Sequence, residues 1–187
     1  MKIGILAVQG AFLEQEAVLD QLNVSWKEIR RKKDLDDHFD GLILPGGEST
    51  VQGKLLRELH LFHPLLEMIQ QDIPVLATCA GMILLSEKIG GQTSPHLKTI
   101  PMNVMRNAYG RQLASFHTTA EYRGLGKVPM TFIRAPYVSG AAEGVKILST
   151  VDHHIVAVQY RNQTALSFHP ELDQDLRIHQ DFLGRCR

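Results

Sequence analysis

Runs of apolar residues alternate with helix-length amphipathic stretches over the first half of the chain. Four runs are rich in β-branched residues and are typical of strands: residues 3–8, 24–29, 41–44 and 74–78. The stretches between them predict helices: residues 12–22, 51–71 and 80–89. In the first helix Leu13, Ala17 and Val18 share one face, and the second contains Pro64, which would interrupt it. Apolar strands that alternate with helices favour a parallel sheet covered on both faces.

The pattern changes after about Gly90. Shorter alternating strands are predicted, followed by one helix: strands at 100–106, 112–121, 130–134, 145–150, 154–159 and 164–168, and a helix at 173–184. This half favours mixed or antiparallel pairing. Since the chain has no repeat, low-complexity tract or linker, we predict one domain, residues 1–187. The predicted fold class is α/β, a three-layer, doubly wound, mixed but mostly parallel sheet with helices on both faces.

Charge and hydropathy exclude several kinds of partner. Lys plus Arg and Asp plus Glu both number 20, so the sequence carries no electrostatic footprint for nucleic acid or an anionic membrane. No segment approaches the roughly 18 consecutive apolar residues of a membrane span. The apolar start leads into Gln9-Gly10 rather than a cleavage site. We therefore predict a cytoplasmic protein whose two cysteines stay reduced.

Cys79 is a candidate nucleophile because it lies directly between a predicted strand and a predicted helix. A nucleophile elbow needs small residues two positions before and after, and these are Ala77 and Gly81. The turn would place the sulfur at the carboxyl edge of the sheet and at a helix N-terminus, which favours thiolate. The alternative interpretation is a buried cysteine that acts as a small hydrophobe. Cys186, near a frayed C-terminus, is interpreted as incidental.

His169 and Glu171 are the candidate base and its orienting group. His169 ends an apolar run, and Pro170 favours an extended backbone before it. In an extended segment residues 169 and 171 project to the same side, so the carboxylate can hydrogen-bond the imidazole. The alternative is a surface histidine. The other histidines form no cluster with zinc-ligand spacing, so we predict no metal.

Gly46 and Gly47 follow a predicted strand and precede a helix. Glycines allow backbone conformations that aim an N–H into a cleft. Together with the N–H of Ala80, they are candidates for an oxyanion hole on a substrate attacked by Cys79. The alternative is that this segment only caps the next helix through Ser49 or Thr50.

These motifs together resemble the class I (triad) glutamine amidotransferases. More specifically, the chain resembles the glutaminase subunit of pyridoxal 5′-phosphate synthase, the PdxT family. The matching stretches span nearly the whole chain: AVQGAF at 7–12, LPGGEST at 44–50, TCAGM at 78–82, RNAYGRQ at 106–112, FIRAP at 132–136 and SFHPEL at 167–172. Ala77 departs from the glycine that is usual in this family.

The resemblance implies that Cys79 attacks the side-chain amide of L-glutamine while His169 moves the proton and Glu171 orients His169. It implies a set of glutamine-binding residues: Gly46, Gly47, Glu48, Arg106, Arg134 and Ala135. A guanidinium suits bidentate capture of the substrate carboxylate.

The resemblance also implies a partner. Ammonia would pass to a (β/α)₈ synthase subunit, near which Gln9 would lie, and glutaminases of this kind are nearly silent until the synthase docks. Pyridoxal phosphate would be a product of the complex, so no cofactor is expected for this chain.

Three alternatives remain open at this point. The same chemistry could serve another synthase, such as the imidazole glycerol phosphate one. The chain could be a non-catalytic regulator on the same scaffold. It could also be a cysteine peptidase or a stress protein that shares the elbow cysteine, against which the His-Pro-Glu motif and the arginines argue.

Overall fold

Apolar strands from the two halves of the chain join in one large sheet. The computed structural model describes residues 1–106 and 115–186. Its α-helices are α1 (Phe12–Gln21), α2 (Ser49–Glu58), α3 (Phe62–Gln70), α4 (Ala80–Leu85) and α5 (Arg177–Leu183). Its strands in the first hundred residues are β1 (Lys2–Leu6), β2 (Ser25–Ile29), β3 (Gly41–Leu44), β4 (Val75–Thr78), β5 (Ser86–Ile89) and β6 (Gln92–Thr93). The later strands are β7 (Ile100–Met105), β8 (Ser115–Tyr122), β9 (Gly126–Ile133), β10 (Tyr137–Ala141), β11 (Lys146–Val151), β12 (His154–Tyr160) and β13 (Gln163–Leu166). Two short 3₁₀ helices cover Lys32–Asp36 and Pro170–Leu172.

The main sheet is parallel on one side and mixed on the other. Its strand order is β2-β1-β3-β4-β13-β12-β10-β7-β5-β6, with β11 paired to β12. All pairs from β2 to β13 are parallel, whereas β12 pairs antiparallel with β13, β10 and β11. Strands β8 and β9 form a separate hairpin. The mixed, mostly parallel α/β sheet that the sequence predicts is confirmed.

Successive residues of the central strands point into two different cores. On β3, Leu42 and Leu44 belong to one buried cluster and Ile43 to the other. The first cluster includes side chains of α2, α3 and α4: Leu56, Leu65 and Ile83. The second includes side chains of α1, α5 and the β8–β9 hairpin: Leu19, Phe182 and Met130. Helices therefore cover both faces, as the apolar character of the strands predicts.

Two predicted helices are shorter than their patterns suggested. The stretch 51–71 is two helices, α2 and α3, because His60 takes a left-handed backbone (φ 56°) between them. Pro64 does not interrupt this stretch but lies in the first turn of α3, where a missing N–H costs nothing. The stretch 80–89 ends as a helix at Leu85, because Ser86–Ile89 is strand β5 and pairs with β7.

The predicted inner face of the first helix is also wrong. Leu13 and Ala17 are exposed, and α1 instead buries Gln15 and Glu16 beside Val18 and Leu19. Gln15 is buried because its Oε1 pairs with Nε2 of His179 on α5, at 2.9 Å.

In the second half of the chain, other strand boundaries in the structure differ from the predicted ones by a few residues. Strand β10 had no counterpart among the predicted strands, and the start of the strand predicted at 112–121 lies outside the described residues. No helix within residues 1–106 and 115–186 has the length and apolar character needed to cross a membrane.

Close packing where β3 meets α4 makes one glycine indispensable. A methyl group at Gly81 would overlap the backbone carbonyl oxygen of Leu44, which cannot move without distorting β3. We expect Gly81→Ala to lower the free energy of unfolding by about 2–3 kcal/mol, measured by urea denaturation with Trp26 fluorescence. The matched control is Gly140→Ala on β10, where nothing lies within 4 Å of the added carbon. Equal stability changes in the two variants would contradict this account.

Candidate active site

Cys79 occupies the sharp turn between β4 and α4 that its flanking residues predicted. Its backbone has φ 47° and ψ −101°, a strained conformation for a residue with a side chain. The Cys79 N–H donates to the carbonyl of Leu166 on the neighbouring strand β13, at 2.8 Å. Because β4 and β13 are parallel, this turn lies at the carboxyl edge of the sheet, where open α/β sheets bind their ligands. The sulfur faces a cleft and lies 3.9 Å from the carbonyl oxygen of Ile133.

His169 lines the same cleft as Cys79, and Glu171 is hydrogen-bonded to His169. The strand β13 ends at Leu166, so His169 comes just before the 3₁₀ helix Pro170–Leu172 rather than at the end of the strand. Its N–H donates to the carbonyl of Thr131 on β9, at 2.8 Å. Its ring Nδ1 lies 2.7 Å from Oε1 of Glu171, and the two side chains are 7% and 0% exposed.

The protonation of His169 depends on both Cys79 and Glu171. Burial by itself lowers the pKa of His169, but hydrogen bonds to Cys79 and Glu171 and the negative charge of both groups raise the pKa to about 10. The ring is therefore an imidazolium at neutral pH, held between a sulfur and a carboxylate. Groups 90 residues apart in sequence, at positions 79 and 169, converge here.

The glycine loop after β3 approaches the imidazole directly. A methyl group on Gly46 would overlap Cε1 of His169, so only glycine fits there. The Gly46 N–H donates to the hydroxyl of Thr78, at 2.9 Å, and its carbonyl accepts the N–H of Ala11, at 2.9 Å. The Gly46 amide is thus used inside the protein, whereas the N–H groups of Gly47 and Ala80 have no partner among the described residues.

These groups surround a cleft of about 530 Å³. The residues that line it come from six separate parts of the chain: Gln9, Ala11, Gly46, Gly47, Glu48, Ser49, Cys79, Ile83, Arg106, Ile133, Arg134 and His169. Arg106 and Arg134 are both exposed at the cleft, and Nη1 of Arg106 donates to Oγ1 of Thr50 at 3.3 Å. Ala135 does not line the cleft, since its side chain is only 1% exposed and packs in the core that contains Phe168.

Glu48 and Gln9 hold the loop from its other end. The Glu48 carboxylate accepts the N–H groups of Thr50 and Val51, at 3.0 and 2.8 Å, and so caps α2. Burial alone raises the pKa of Glu48, but these two amides lower it below its ordinary value. The expectation that Ser49 or Thr50 caps this helix is wrong, because the longer Glu48 side chain reaches both amides. Gln9 accepts the Glu48 N–H on its Oε1, at 2.8 Å, and is half-buried at the cleft.

Comparison with known proteins agrees with this geometry. A family model described as the SNO glutamine amidotransferase family matches residues 5–187. The chain belongs to this family. It is 58% identical over 183 residues to the pyridoxal 5′-phosphate synthase subunit PdxT of Desulfitobacterium hafniense (strain Y51), a match that covers 98% of this chain and 92% of that one.

Two further comparisons extend the likeness. The chain is 55% identical to the pyridoxal 5′-phosphate synthase subunit PdxT of Streptococcus pneumoniae (strain ATCC 700669), over 100% of this chain and 98% of that one. A crystal structure of a glutamine amidotransferase superposes with a TM-score of 0.92 at 39% identity, over 98% of this chain and 97% of that chain. The class I glutamine amidotransferase fold is therefore confirmed.

In this member of the family, the arrangement has the parts of acyl-transfer chemistry. A sulfur faces the cleft, the adjacent imidazolium can donate a proton and, once neutral, accept one, and a buried carboxylate orients the ring through Nδ1. Two unpaired backbone N–H groups, from Gly47 and Ala80, flank the nucleophile. The described residues contain no group of three or more His, Cys, Asp or Glu side chains placed to hold a metal ion.

Three contributors to the site were missed from the sequence. Thr78 binds the Gly46 amide through its hydroxyl, although only its place beside Cys79 was noted. Ile133 brings its carbonyl near the sulfur, which no side-chain pattern could reveal. Gln52 is fully buried and donates to the carbonyls of Gln9 and Pro45, at 2.9 and 3.2 Å. A polar residue on the buried face of a predicted helix was the available signal for Gln52.

The two cysteines differ in surroundings, which predicts selective alkylation. Cys186 is not frayed: it is 6% exposed, packs against Gly41, and burial raises the pKa of its thiol to about 11. Cys79 lines the cleft beside the His169 imidazolium. We expect iodoacetamide at neutral pH to label Cys79 and leave Cys186 unmodified, because thiolate is the reactive form. Peptide mass mapping measures this, and preferential labelling of Cys186 would contradict the structure.

The raised pKa of His169 predicts a pH-dependent contribution to stability. We expect Glu171→Gln to lower the pKa of His169, observed by NMR, because a hydrogen bond and a charge that raise it are lost. The advantage of the wild type in free energy of unfolding should be full below pH 6.5, where folded and unfolded histidine are both protonated. It should shrink as the pH rises toward about 10, where the folded imidazolium loses its proton. Urea denaturation across this range tests the sign, and an advantage that grew with pH would contradict it.

Proposed function

We propose that this chain is the glutaminase subunit of a pyridoxal 5′-phosphate synthase, which hydrolyses L-glutamine to L-glutamate and ammonia. One observation carries the proposal, a Cys–His–Glu series at one cleft: the Cys79 sulfur and the His169 imidazole both line the cleft, and the buried Glu171 carboxylate hydrogen-bonds the imidazole at 2.7 Å. The names of relatives 55–58% identical over almost the whole chain support the synthase to which it contributes. The complete series argues against a non-catalytic regulator.

The first half of the reaction forms a thioester. The Cys79 thiolate attacks the side-chain amide carbon of glutamine, and the carbonyl oxygen becomes an oxyanion that accepts the N–H groups of Gly47 and Ala80. His169 then gives its proton to the amide nitrogen, the carbon–nitrogen bond breaks, and ammonia leaves. Glu171 stabilises the imidazolium before this transfer through its 2.7 Å contact with Nδ1.

The second half releases glutamate. His169, now neutral, takes a proton from water as the water oxygen attacks the γ-glutamyl thioester. The oxyanion forms again at the same two amides. When the carbon–sulfur bond breaks, glutamate leaves and the thiolate–imidazolium pair is restored, ready for another substrate.

Two exposed arginines explain the preference for an amino acid substrate. Arg106 and Arg134 line the cleft, and a guanidinium binds a carboxylate through two parallel hydrogen bonds. Glu48 offers a carboxylate of lowered pKa that stays ionised and suits an α-ammonium group. Ala135, which is buried behind Arg134, contributes only through the backbone it supports.

Five exposed apolar side chains are close in sequence to residues that line the cleft; we call them the collar and assign them to docking of the synthase subunit. Each member is exposed and lies no more than three residues along the chain from a residue that lines the cleft: Leu13, Val51, Met105, Ile133 and Leu172. Apolar residues concentrated on one face are typical of a protein interface. Gln9 lies inside this collar and would meet the partner, a (β/α)₈ subunit that receives the ammonia. Covering the cleft keeps ammonia from bulk water. A thiol that acts as a nucleophile must stay reduced, which supports a cytoplasmic location for the complex.

Glutamate release tests the proposal directly. We expect the chain mixed with its synthase subunit to release glutamate from glutamine, and Cys79→Ala to reduce the rate by roughly a thousandfold or more, because the nucleophile is lost. Cys186→Ser is the matched control and should retain activity, since Cys186 is buried against Gly41 at the amino end of β3, whereas the cleft lies beyond the carboxyl end of that strand. A partner-bound wild type no faster than Cys79→Ala would overturn the enzymatic assignment.

The collar predicts which surface change weakens assembly. We expect Leu13→Glu to weaken binding to the synthase subunit by about tenfold or more, because a charge replaces an exposed apolar contact. Ile147→Glu on β11 is the matched control: Ile147 is 45% exposed but does not belong to the collar. Isothermal titration calorimetry measures both. If the two variants bound equally well, the collar would not be the docking surface.

A further inference from the structure

The hydroxyl of Thr78 joins two parts of the site that the chain keeps 32 residues apart. Thr78 ends β4, immediately before Cys79, and its side chain is fully buried. Its Oγ1 accepts the N–H of Gly46 from the loop that follows β3, at 2.9 Å. The strand that carries the nucleophile therefore holds the glycine loop by a side chain as well as by the sheet.

This hydrogen bond is one of several that fix the loop. The Gly46 carbonyl accepts the N–H of Ala11, and Oε1 of Gln9 accepts the N–H of Glu48. Between these anchored groups lies the N–H of Gly47, without a partner among the described residues. Glycine has few preferences of its own, so the direction of this amide depends on the groups that anchor its neighbours.

A purely structural role would also bury a threonine in a strand, and β13 contains one. Thr164 is 1% exposed and its Oγ1 accepts Nη2 of Arg185, at 2.8 Å, away from the cleft. Thr78 differs because its partner is the backbone of the loop that lines the cleft and touches His169. The two residues thus offer a comparison on adjacent strands.

We infer that Thr78 is a positioning residue for the oxyanion hole: by fixing the Gly46 amide it sets where the Gly47 N–H lies relative to the Cys79 sulfur. This inference rests on the proposed glutaminase function. Thr78 acts through the loop and does not touch the substrate. Without this hydroxyl the Gly46 N–H is buried and has no acceptor. Because a buried unpaired N–H is unfavourable, the loop is expected to rearrange so that this N–H turns toward water or toward the cleft.

The test separates oxyanion stabilisation from thiolate reactivity. Acyl transfer from glutamine forms an oxyanion, whereas alkylation of Cys79 by iodoacetamide is a displacement at a saturated carbon and forms none. The variant Thr78→Val is measured in the complex with the synthase subunit. We expect it to lower kcat for glutamine hydrolysis on the order of 10- to 100-fold. This loss is smaller than the loss from removing an oxyanion donor itself, because Thr78 acts on the donor indirectly. The alkylation rate of Cys79 should stay within about twofold. Thr78→Ser, which keeps the acceptor, should restore most of kcat.

Each outcome decides the inference. A loss of kcat in Thr78→Val with unchanged alkylation, absent from Thr78→Ser and from Thr164→Val, supports it. Wild-type kcat in Thr78→Val, or parallel losses of kcat and alkylation rate, overturns it, as does a Thr78→Ser variant as slow as Thr78→Val. If Thr78→Val does not fold, Thr78→Ala replaces it under the same criteria. An inactive wild-type complex would instead contradict the proposed function, so the two failures are distinguishable.

Discussion

The buried contact between His169 and Glu171 is the interaction on which the site depends. Placing an imidazolium and a carboxylate away from water is costly, and the pair is stable only where the geometry is close to ideal. Here Nδ1 and Oε1 are 2.7 Å apart, while Oε2 of Glu171 has no partner among the described residues. The imidazole is therefore the main compensation for the buried carboxylate, which binds the two groups tightly to one another. The interaction with Cys79 and this coupling together keep His169 protonated beside the sulfur.

The surrounding fold holds the His169–Glu171 pair next to Cys79. The hairpin strand β9 fixes the backbone of His169 through Thr131, and strand β13 fixes the backbone of Cys79 through Leu166. Gly46 lets the loop after β3 approach the ring because it has no side chain to obstruct it. Parallel strands make this possible, since their carboxyl ends meet at one edge of the sheet and deliver several loops to the same place.

The site has an interior, to which we assign the chemistry, and a rim, to which we assign the binding of the partner. Several polar groups at the cleft are bound within the protein: the Gly46 amide, the Glu48 carboxylate and the Gln9 side chain. The rim instead includes exposed apolar side chains, from Leu13 to Leu172, beside the exposed Arg106 and Arg134. An enzyme that released its product to water would gain nothing from such a rim, whereas one that hands ammonia to a second active site needs the cleft covered.

Local sequence determined much of this protein. Strands β1, β3 and β4 were predictable because they are apolar on both faces, and Cys79 and the His169–Glu171 pair were predictable because turn geometry and two-residue spacing are local properties. Only the tertiary structure decided the rest. Ser86–Ile89 became a strand through pairing with β7, Gln15 became buried through His179, and Cys186 became buried against Gly41. The sequence did not reveal that the Gly46 N–H donates to the Thr78 hydroxyl. Nor did it reveal that the Ile133 carbonyl, 54 residues from Cys79 along the chain, lies near the Cys79 sulfur. Sequence encodes a residue's conformational preferences directly, but its partners come from distant segments that meet only when the chain has folded.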